Sequence, residues 1–332
     1  MNHCLFIFVT LLCVTTTRTL YAEGSNRILN GSPATENQFP YMISLQRLSE
    51  VHSDTRGHKC GGVLVTLQHA LTAAKCATEN DGVPIVHINP AEYRVFAGSV
   101  LLTNDTSVER IRRIAKITIH PDYDPDTTLP ANQRINDIAV IILGAPFSNN
   151  TVTPLSVIDI GFAERVTCIL SGWGVQGSTS TVANTQLMFA QMQAIDQITC
   201  HFWVSPSVAT TKLCAFAPGV IQGAAGCEGD IGGPLVCRDG LAGILIEASD
   251  CRTVPLRPQL FTRVSNYTSW IKSVKEQPIP ELGPEPSTVA PTTLPTTPGT
   301  SPRPSKATTS KPVMAVLVVI VLAQIITANA IH

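Results

Sequence analysis

Cysteine is the residue type whose number and positions bear most directly on chemistry in this 332-residue sequence. Two of the ten cysteines, Cys4 and Cys13, lie in an apolar N-terminal stretch, and the remaining eight lie further along the chain. Those eight are Cys60, Cys76, Cys168, Cys200, Cys214, Cys227, Cys237 and Cys251. An even number of cysteines in an exported chain predicts a disulfide framework, although spacing alone does not say which of them pair.

The N-terminus has the pattern of a secretory signal peptide. Residues 5–14 form an apolar run, which is followed by polar residues and the small Ala22. The alternative interpretation, a buried first strand, is disfavoured because the run ends well before the central region begins near residue 28. We therefore predict that residues 1–22 are removed on export, together with Cys4 and Cys13.

Glycosylation signals and overall charge agree with an extracellular chain. Asn-X-Ser/Thr sequences occur at Asn30, Asn104, Asn149 and Asn266. Glycosylation is predicted at Asn104, Asn149 and Asn266, whereas Pro33 after the Asn30 signal disfavours it there. The formal net charge of -1, with no basic stripe, argues against nucleic acid as a partner.

The central region is predicted to be all-β. Short β-branched or aliphatic runs alternate with Gly, Pro, Asn and Asp, as expected for a barrel or a sandwich. Predicted strands lie at residues 62–66, 93–97, 114–119, 138–143, 165–171, 235–237 and 241–246. One amphipathic stretch, residues 267–274, predicts a closing helix with Ser265 or Asn266 as its N-cap.

The composition changes sharply after residue 275. Residues 276–312 are dominated by Pro, Thr and Ser and predict an extended, O-glycosylated stalk. Residues 313–332 follow as an apolar tail without Lys or Arg. Small residues at 299–301, a polar spacer and this tail favour a GPI-anchor signal over a single-pass transmembrane helix.

Several segments, all in one consistent order, resemble the trypsin/chymotrypsin family of serine proteases. They are Arg27-Ile28-Leu29-Asn30-Gly31, Cys60-Gly61-Gly62-Val63-Leu64, Leu71-Thr72-Ala73-Ala74-Lys75-Cys76, Asn136-Asp137-Ile138-Ala139-Val140, Ser171-Gly172-Trp173-Gly174, Cys227-Glu228-Gly229-Asp230-Ile231-Gly232-Gly233-Pro234-Leu235, and Phe261-Thr262-Arg263-Val264 with Trp270-Ile271. The resemblance covers residues 28–275 and implies a short activation peptide at residues 23–27.

The resemblance implies a chymotrypsin-like fold, with two packed antiparallel β-barrels, a C-terminal helix and an active site in the cleft between the barrels. It also implies four disulfide bonds, which are Cys60–Cys76, Cys168–Cys237, Cys200–Cys214 and Cys227–Cys251. No cofactor and no metal are implied.

The catalytic positions carried over from the family are degenerate. The reaction needs a hydroxyl nucleophile, an imidazole base and a carboxylate that orients the imidazole. Asp137 occupies the carboxylate position, but Lys75 occupies the position of the base and Ile231 that of the nucleophile. Isoleucine has no heteroatom, and a lysine beside an aspartate is a cation at neutral pH. The resemblance therefore predicts a pseudoprotease, with a structural Lys75–Asp137 salt bridge where the base would stand.

Other polar residues near these positions have structural interpretations. His69 and His87 align away from the cleft, and His58 aligns with a histidine that can support the inactive form in relatives. Gly229 aligns with an oxyanion-hole residue, so an empty hole is expected to persist.

The specificity pocket and the activation elements are carried over in the same way. Ala225 stands at the pocket base, Gln259 at the pocket wall, and Ile246-Glu247-Ala248 where relatives commonly have Ser-Trp-Gly. Gln259 is expected to fill part of the pocket. Arg27, Ile28 and Asp230 are retained. These residues allow a zymogen-like switch driven by cleavage after Arg27; alternatively, they are inherited determinants of the fold that are not used as a switch.

Two functional hypotheses follow for this chain. The favoured one is a non-catalytic homologue on the extracellular face of the plasma membrane that binds or regulates extracellular proteins, including components of protease cascades. The alternative is an endopeptidase relative with residual or unrecognised hydrolase activity. Free secretion and a purely structural surface glycoprotein are further alternatives.

Overall fold

The computed structural model describes nine parts of the chain. They are residues 28, 31–80, 84–105, 107–125, 135–161, 165–174, 185–218, 224–247 and 258–283. The predicted signal peptide, Arg27, Ala248, Cys251 and everything after residue 283 lie outside the described residues, as does Asn30.

The first half of the described chain forms a closed antiparallel barrel, with strand order β2-β3-β4-β7-β6-β5. Its strands are β2 (Met42–Arg47), β3 (His58–Leu64), β4 (His69–Thr72), β5 (Tyr93–Ala97), β6 (Ile111–Ile119) and β7 (Ala139–Leu143). Every residue of β7 is buried, because the strand is aliphatic and paired on both sides.

The second half forms another closed antiparallel barrel, in which β8 pairs with both β9 and β11. Its strands are β8 (Val166–Gly172), β9 (Met188–Ile195), β10 (Lys212–Phe216), β11 (Pro234–Cys237), β12 (Gly240–Leu245) and β13 (Gln259–Arg263). The short strand β1 (Ser32–Pro33) comes first in the chain and adds to the edge of β9. The predicted all-β fold of two antiparallel barrels is confirmed.

Two α-helices accompany the barrels. The predicted C-terminal helix is α2 (Thr268–Lys275), which follows a 3₁₀ turn at Val264–Tyr267. Its N-cap residue is Tyr267 and no side chain caps it, so the predicted capping by Ser265 or Asn266 is wrong. Helix α1 (Gln197–Trp203) was not predicted, because seven residues are too short for helical periodicity to stand out.

Three of the four implied disulfides are present among the described residues, namely Cys60–Cys76, Cys168–Cys237 and Cys200–Cys214. Cys227 is also disulfide-bonded, and its implied partner Cys251 lies outside the described residues. The Cys168–Cys237 bond joins directly opposed residues of β8 and β11. These cross-links restrict the unfolded chain and stabilise the scaffold independently of any catalytic residue.

The two barrels are joined by buried polar contacts as well as by apolar packing. Trp173 is fully buried at the end of β8, and its indole N–H donates to the carbonyl of Val100 in the first barrel at 3.0 Å. Thr262 on β13 donates its hydroxyl to the carbonyl of Asp137 at 2.7 Å. Such bonds are strong in a dry interface, so they fix the walls of the cleft relative to each other.

The chain stays packed on the domain beyond the predicted boundary at residue 275. Ile279 packs against the core of the first barrel, and the Leu282 side chain lies over Gly144. Lys116 and Arg113 on β6 donate to Gln277 Oε1 and to the carbonyl of Gly283, both at 2.9 Å. The compact unit therefore reaches Gly283, and residues 276–283 belong to it rather than to the stalk. Within the described part of the chain, no helix combines the length and the apolar character needed to cross a bilayer.

The packing of residues 276–283 on the first barrel predicts that this segment contributes to the free energy of unfolding. The double change Ile279→Ala and Leu282→Ala should lower the free energy of unfolding by about 2 kcal/mol, because it removes half-buried side chains from the first barrel. Denaturant titration under non-reducing conditions measures this. The matched control is Val108→Ala, a change at an 84% exposed side chain that should stay within about 0.5 kcal/mol of the wild type. A double variant as stable as the control would show that the segment does not contribute to the fold.

Candidate functional site

The loop 227–233 carries the position aligned with the nucleophile, and both barrels hold it in place. The N–H of Gly61 on β3 donates to the carbonyl of Ile231 at 2.9 Å, and the N–H of Gly232 donates to Leu245 at 2.8 Å. Gly232 has a φ of +83°, and a Cβ there would lie 2.2 Å from Thr72 Oγ1. Glycine is therefore required where the loop touches the end of β4.

Ile231 projects a hydrocarbon side chain where the family resemblance places the nucleophile. The side chain is partly buried and packs against an apolar core cluster to which both barrels contribute. It has no atom that can attack a carbonyl carbon, and its contacts are those of an ordinary core-edge residue.

Lys75 lies in the 3₁₀ turn Ala74–Ala77, directly after β4. Its backbone N–H donates to Asp137 Oδ1 at 3.0 Å, and its ammonium donates to the carbonyl of Ile246 across the cleft. Among the described residues, no ion pair within 4.0 Å joins the Lys75 ammonium to Asp137. The expected direct salt bridge is thus replaced by a backbone hydrogen bond and a longer-range attraction.

Asp137 is a buried carboxylate with few compensating charges. Burial raises its pKa, while the nearby Lys75 ammonium, the N–H groups of Lys75 and Ala74 and the buried Lys212 act in the opposite direction. A carboxylate in this position is costly unless it is paired or hydrogen-bonded. Lys75 therefore stabilises the fold at this point through its backbone N–H and its positive charge.

The remaining histidines do not complete a catalytic pair. His69 begins β4, at the opposite end of the strand from Lys75, and its Nδ1 is 2.8 Å from Thr66 Oγ1. His87 is exposed in the loop before β5 and pairs with Thr78 through a β-bridge. Among the described residues, neither histidine has a hydrogen bond to Lys75, Asp137 or Ile231.

The aligned specificity pocket is occupied by the protein itself. Gln259 begins β13 and is 4% exposed; its Oε1 accepts from the N–H of Gly226 at 2.7 Å, and its Nε2 donates to the carbonyl of Gly226 at 2.8 Å. Ala225 beside it is fully buried. This two-point bond holds the carboxamide against the backbone of Gly226, next to the aligned pocket base.

The aligned substrate-binding segment is likewise engaged. The N–H of Ile246 donates to Leu260 at 3.0 Å, and the carbonyl of Ile246 accepts from Lys75. Glu247 is exposed, and Ala248 lies outside the described residues. The carbonyl of Ile246 is therefore taken by a side chain of the same chain.

His58 connects the first barrel to the oxyanion-hole position. Its Nε2 lies 2.9 Å from the carbonyl of Gly229, and its Nδ1 lies 2.7 Å from Ser44 Oγ. Burial lowers the pKa of His58 to about 4, so the ring is neutral at physiological pH. The carbonyl can only accept, so Nε2 carries the proton and Ser44 donates to Nδ1. Gly229, with a φ of +90°, is thus anchored from β3.

Asp230 is fully buried directly before Ile231. Its carboxylate oxygens accept from the N–H groups of Gly174 at 2.7 Å and Cys227 at 2.8 Å. Burial raises its pKa to about 6, and the two hydrogen bonds counteract part of that increase. Ile28 is fully buried in the second barrel's core with a φ of +59°, whereas Arg27 lies outside the described residues.

The two barrels, the cleft and the disulfides define the class as chymotrypsin-like. The Trypsin family profile matches residues 28–271, most of the chain, so this chain belongs to the trypsin family. It is 30% identical over 281 residues to chymotrypsin-like elastase family member 1 of Bos taurus, covering 81% of this chain and 97% of that relative.

Further relatives share the same domain. Transmembrane protease serine 9 of Rattus norvegicus is 29% identical over 306 residues, which is 88% of this chain but 26% of that protein. The solved structure of neuropsin, a serine protease expressed in the limbic system of mouse brain, aligns with a TM-score of 0.60 and 27% identity. That alignment covers 74% of this chain and 99% of the neuropsin chain.

Sequence reasoning missed two polar partners of the site. Ser44 is buried in the middle of β2 and donates to His58, and Thr262 on β13 donates to Asp137. Thr262 lies 125 positions from Asp137, whereas Ser44 lies 14 positions from His58 on the neighbouring strand. Both strands also contain other polar residues, so no local pattern singles out these two hydroxyl groups.

The opposite pKa shifts of His58 and Asp230 predict compensating pH dependences of stability. His58 binds fewer protons in the folded state between pH 4 and 6.5, so its contribution makes stability rise with pH. Asp230 binds more protons in the folded state between about pH 4 and 6, so its contribution makes stability fall with pH. Between pH 4 and 6 the two contributions should nearly cancel.

Substitution of either residue removes that compensation. Relative to the wild type, His58→Gln should make the slope of unfolding free energy against pH more negative by about 1 kcal/mol per pH unit. Asp230→Asn should shift the slope by about the same amount in the positive direction. Denaturant titrations at pH 4 to 6 test this, and equal slopes in all three proteins would contradict the assignment.

The contacts of Lys75 predict a structural role for its charge. Lys75→Ala should destabilise the fold by about 1–3 kcal/mol, because the carbonyl of Ile246 loses its donor and Asp137 loses a nearby cation. Lys75→Met keeps the aliphatic stem and separates packing from charge. The thermal midpoint of each variant is compared with that of Lys272→Met, a change at an exposed lysine on α2. An unchanged midpoint for Lys75→Ala would refute the structural role.

Proposed function

We propose that this chain is a non-catalytic serine-protease homologue that acts by binding or regulating other extracellular proteins. The observation that carries the proposal is the Ile231 side chain at the aligned nucleophile position, packed against an apolar core cluster to which both barrels contribute. Acyl transfer through a covalent intermediate requires an oxygen or sulfur at that position.

Lys75 supports the same proposal from the other side of the cleft. A general base needs a free electron pair within reach of the proton that it takes. The Lys75 nitrogen instead donates to the carbonyl of Ile246, so it is engaged as a hydrogen-bond donor. Loss of the base and loss of the nucleophile are independent obstacles to peptide hydrolysis.

The contacts inside the aligned substrate groove favour a binding site elsewhere on the domain. Gln259 occupies the aligned specificity pocket with two hydrogen bonds to Gly226, and Lys75 occupies the carbonyl of Ile246. A substrate-like peptide would have to displace both contacts. A partner that recognises the rigid exterior of the domain would meet no such cost, so a cofactor or decoy role in a protease cascade fits better than inhibition through the groove.

Surface display is the second part of the proposal. The Pro/Thr/Ser-rich composition from residue 284 to 312 and the apolar run at 313–326 are the features of a tethered ectodomain. A relative over the protease domain is named a transmembrane protease. We propose a GPI anchor, or alternatively a single-pass anchor, at the extracellular face of the plasma membrane.

An activity-based probe tests the lack of catalysis. The full chain, before and after cleavage at Arg27, is incubated with a fluorophosphonate probe and with a broad peptide library. We expect no covalent labelling and no hydrolysis above background, since position 231 offers no nucleophile. Labelling of the wild-type chain at the cleft would overturn the proposal in favour of an unrecognised hydrolase.

Matched variants make this negative result interpretable. Ile231→Ser restores the hydroxyl alone, and Ile231→Ser with Lys75→His restores both missing groups beside Asp137. We expect probe labelling only in the double variant, because a serine without a base is a weak nucleophile. Because Gln259 still fills the pocket, peptide cleavage should stay at background even there. Equal labelling of the single and double variants would show that the Lys75→His change does not activate the serine, which would contradict the assignment of position 75 as that of the base.

A further inference from the structure

Helix α1 carries a compact apolar patch on the surface of the second barrel. The patch consists of Ile198, Phe202 and Trp203, whose exposed fractions are 82%, 81% and 50%. The rings of Phe202 and Trp203 meet edge to face with centroids 5.6 Å apart. The other exposed large apolar residues in the described part of the chain are scattered over separate loops, so this cluster is a distinct feature.

The helix that carries the α1 patch is held firmly. Asp196 caps it by accepting from the N–H of Thr199 at 2.8 Å, and Cys200 is disulfide-bonded to Cys214 on β10. Gln197 and His201 both lie 3.0 Å from the carbonyl of Val208. The apolar side chains are therefore presented outward by an anchored helix and are not exposed through fraying of a chain end.

Apart from the capping residue Asp196, the sequence around the α1 patch carries no exposed formal charge. Residues 197–211 contain no Asp, Glu, Lys or Arg, and the next residue, Lys212, is 2% exposed. By contrast, the exposed Val108 is followed by Glu109 and Arg110. The Asp196 carboxylate is held by the N–H and the hydroxyl of Thr199 at the start of the helix. A low-dielectric surface that approaches the α1 patch meets no other charged side chain of this segment, whose desolvation would be costly.

The size and composition of the α1 patch favour a lipid interface over a protein partner. Its two aromatic side chains expose roughly 250–300 Å². Even with Ile198 added, the patch stays well below the area of about 800 Å² that a stable protein interface buries on each partner. Trp and Phe are the residues that monotopic proteins place at the boundary between headgroups and acyl chains, where a shallow insertion is sufficient.

The length of the chain beyond residue 283 keeps such a surface within reach. The 29 residues 284–312 separate the packed segment from the apolar run at 313–326. Even fully extended they span roughly 100 Å, so an anchored domain experiences a high effective concentration of lipid, and a weak contact is populated.

We propose that the α1 patch inserts into the outer leaflet of the membrane to which the chain is tethered, so that the domain lies against the bilayer. This inference rests on the tethering part of the proposed function. Docking through α1 would leave the rest of the ectodomain surface available to protein partners.

Tryptophan quenching in vesicles tests the docking. Mature full chain is purified from cell membranes and reconstituted into phosphatidylcholine vesicles that contain an acyl-chain nitroxide lipid. Trp173 is buried and Trp270 is partly buried, so the quenched signal should come from Trp203. We expect the nitroxide to remove about a third of the emission, the share of one tryptophan among three. Trp203→Phe should abolish that loss.

Two further variants separate the α1 patch from the tether. Ile198→Ser with Phe202→Ser should abolish the quenching, while Val108→Ser, which removes an exposed apolar residue elsewhere, should leave it unchanged. Flotation of the vesicles reports the tether independently of quenching. Protein that floats with the vesicles but shows no quenching that depends on Trp203 overturns the inference and leaves the tether intact.

The remaining outcomes are also decisive. If the chain does not float, the tethering proposal fails, and quenching at millimolar lipid then decides whether the α1 patch has membrane affinity of its own. If no quenching is seen even at millimolar lipid, the inference about the α1 patch is overturned as well. Cross-linking of α1 to a protein on cells, without quenching in vesicles, would show that the patch is a protein interface and would contradict the lipid assignment.

Discussion

The arrangement of the cleft depends on the buried carboxylate of Asp230. A fully buried anion is costly, and this one is retained because the N–H groups of Gly174 and Cys227 both donate to it. Gly174 must be glycine, since a Cβ there would lie 2.4 Å from Asp230 Oδ2. These bonds fix the loop 227–233 against the second barrel, and the loop in turn determines where Gly229 and Ile231 lie.

Several polar backbone groups around the aligned site are satisfied by side chains of the same chain. Lys75 donates to the carbonyl of Ile246, and Gln259 hydrogen-bonds to both backbone groups of Gly226. His58 hydrogen-bonds to the carbonyl of Gly229. Each bond removes a buried polar group from competition with water and so contributes to stability.

The fold tolerates this change because its stability lies elsewhere. The aliphatic strand β7, the Cys168–Cys237 bond and the indole bond of Trp173 to Val100 involve no catalytic side chain. A scaffold stabilised by core packing and cross-links can lose its nucleophile without unfolding, since Ile231 at that position adds apolar contact instead of removing it. Any new function can then develop on the outer surface, where helix α1 carries three exposed apolar side chains.

The sequence by itself was sufficient for the all-β class, for the strand at residues 93–97 and for three disulfide pairs taken from the family resemblance. Those features are encoded locally, by β-branched runs, turn residues and cysteine positions. Tertiary structure decided the partners of Lys75, because its ammonium reaches Ile246, 171 positions away, instead of Asp137. It also decided that residues 276–283 pack on β6 and that Ile198, Phe202 and Trp203 face outward. Such outcomes depend on which distant segments meet in space, and no local pattern in the sequence carries that information.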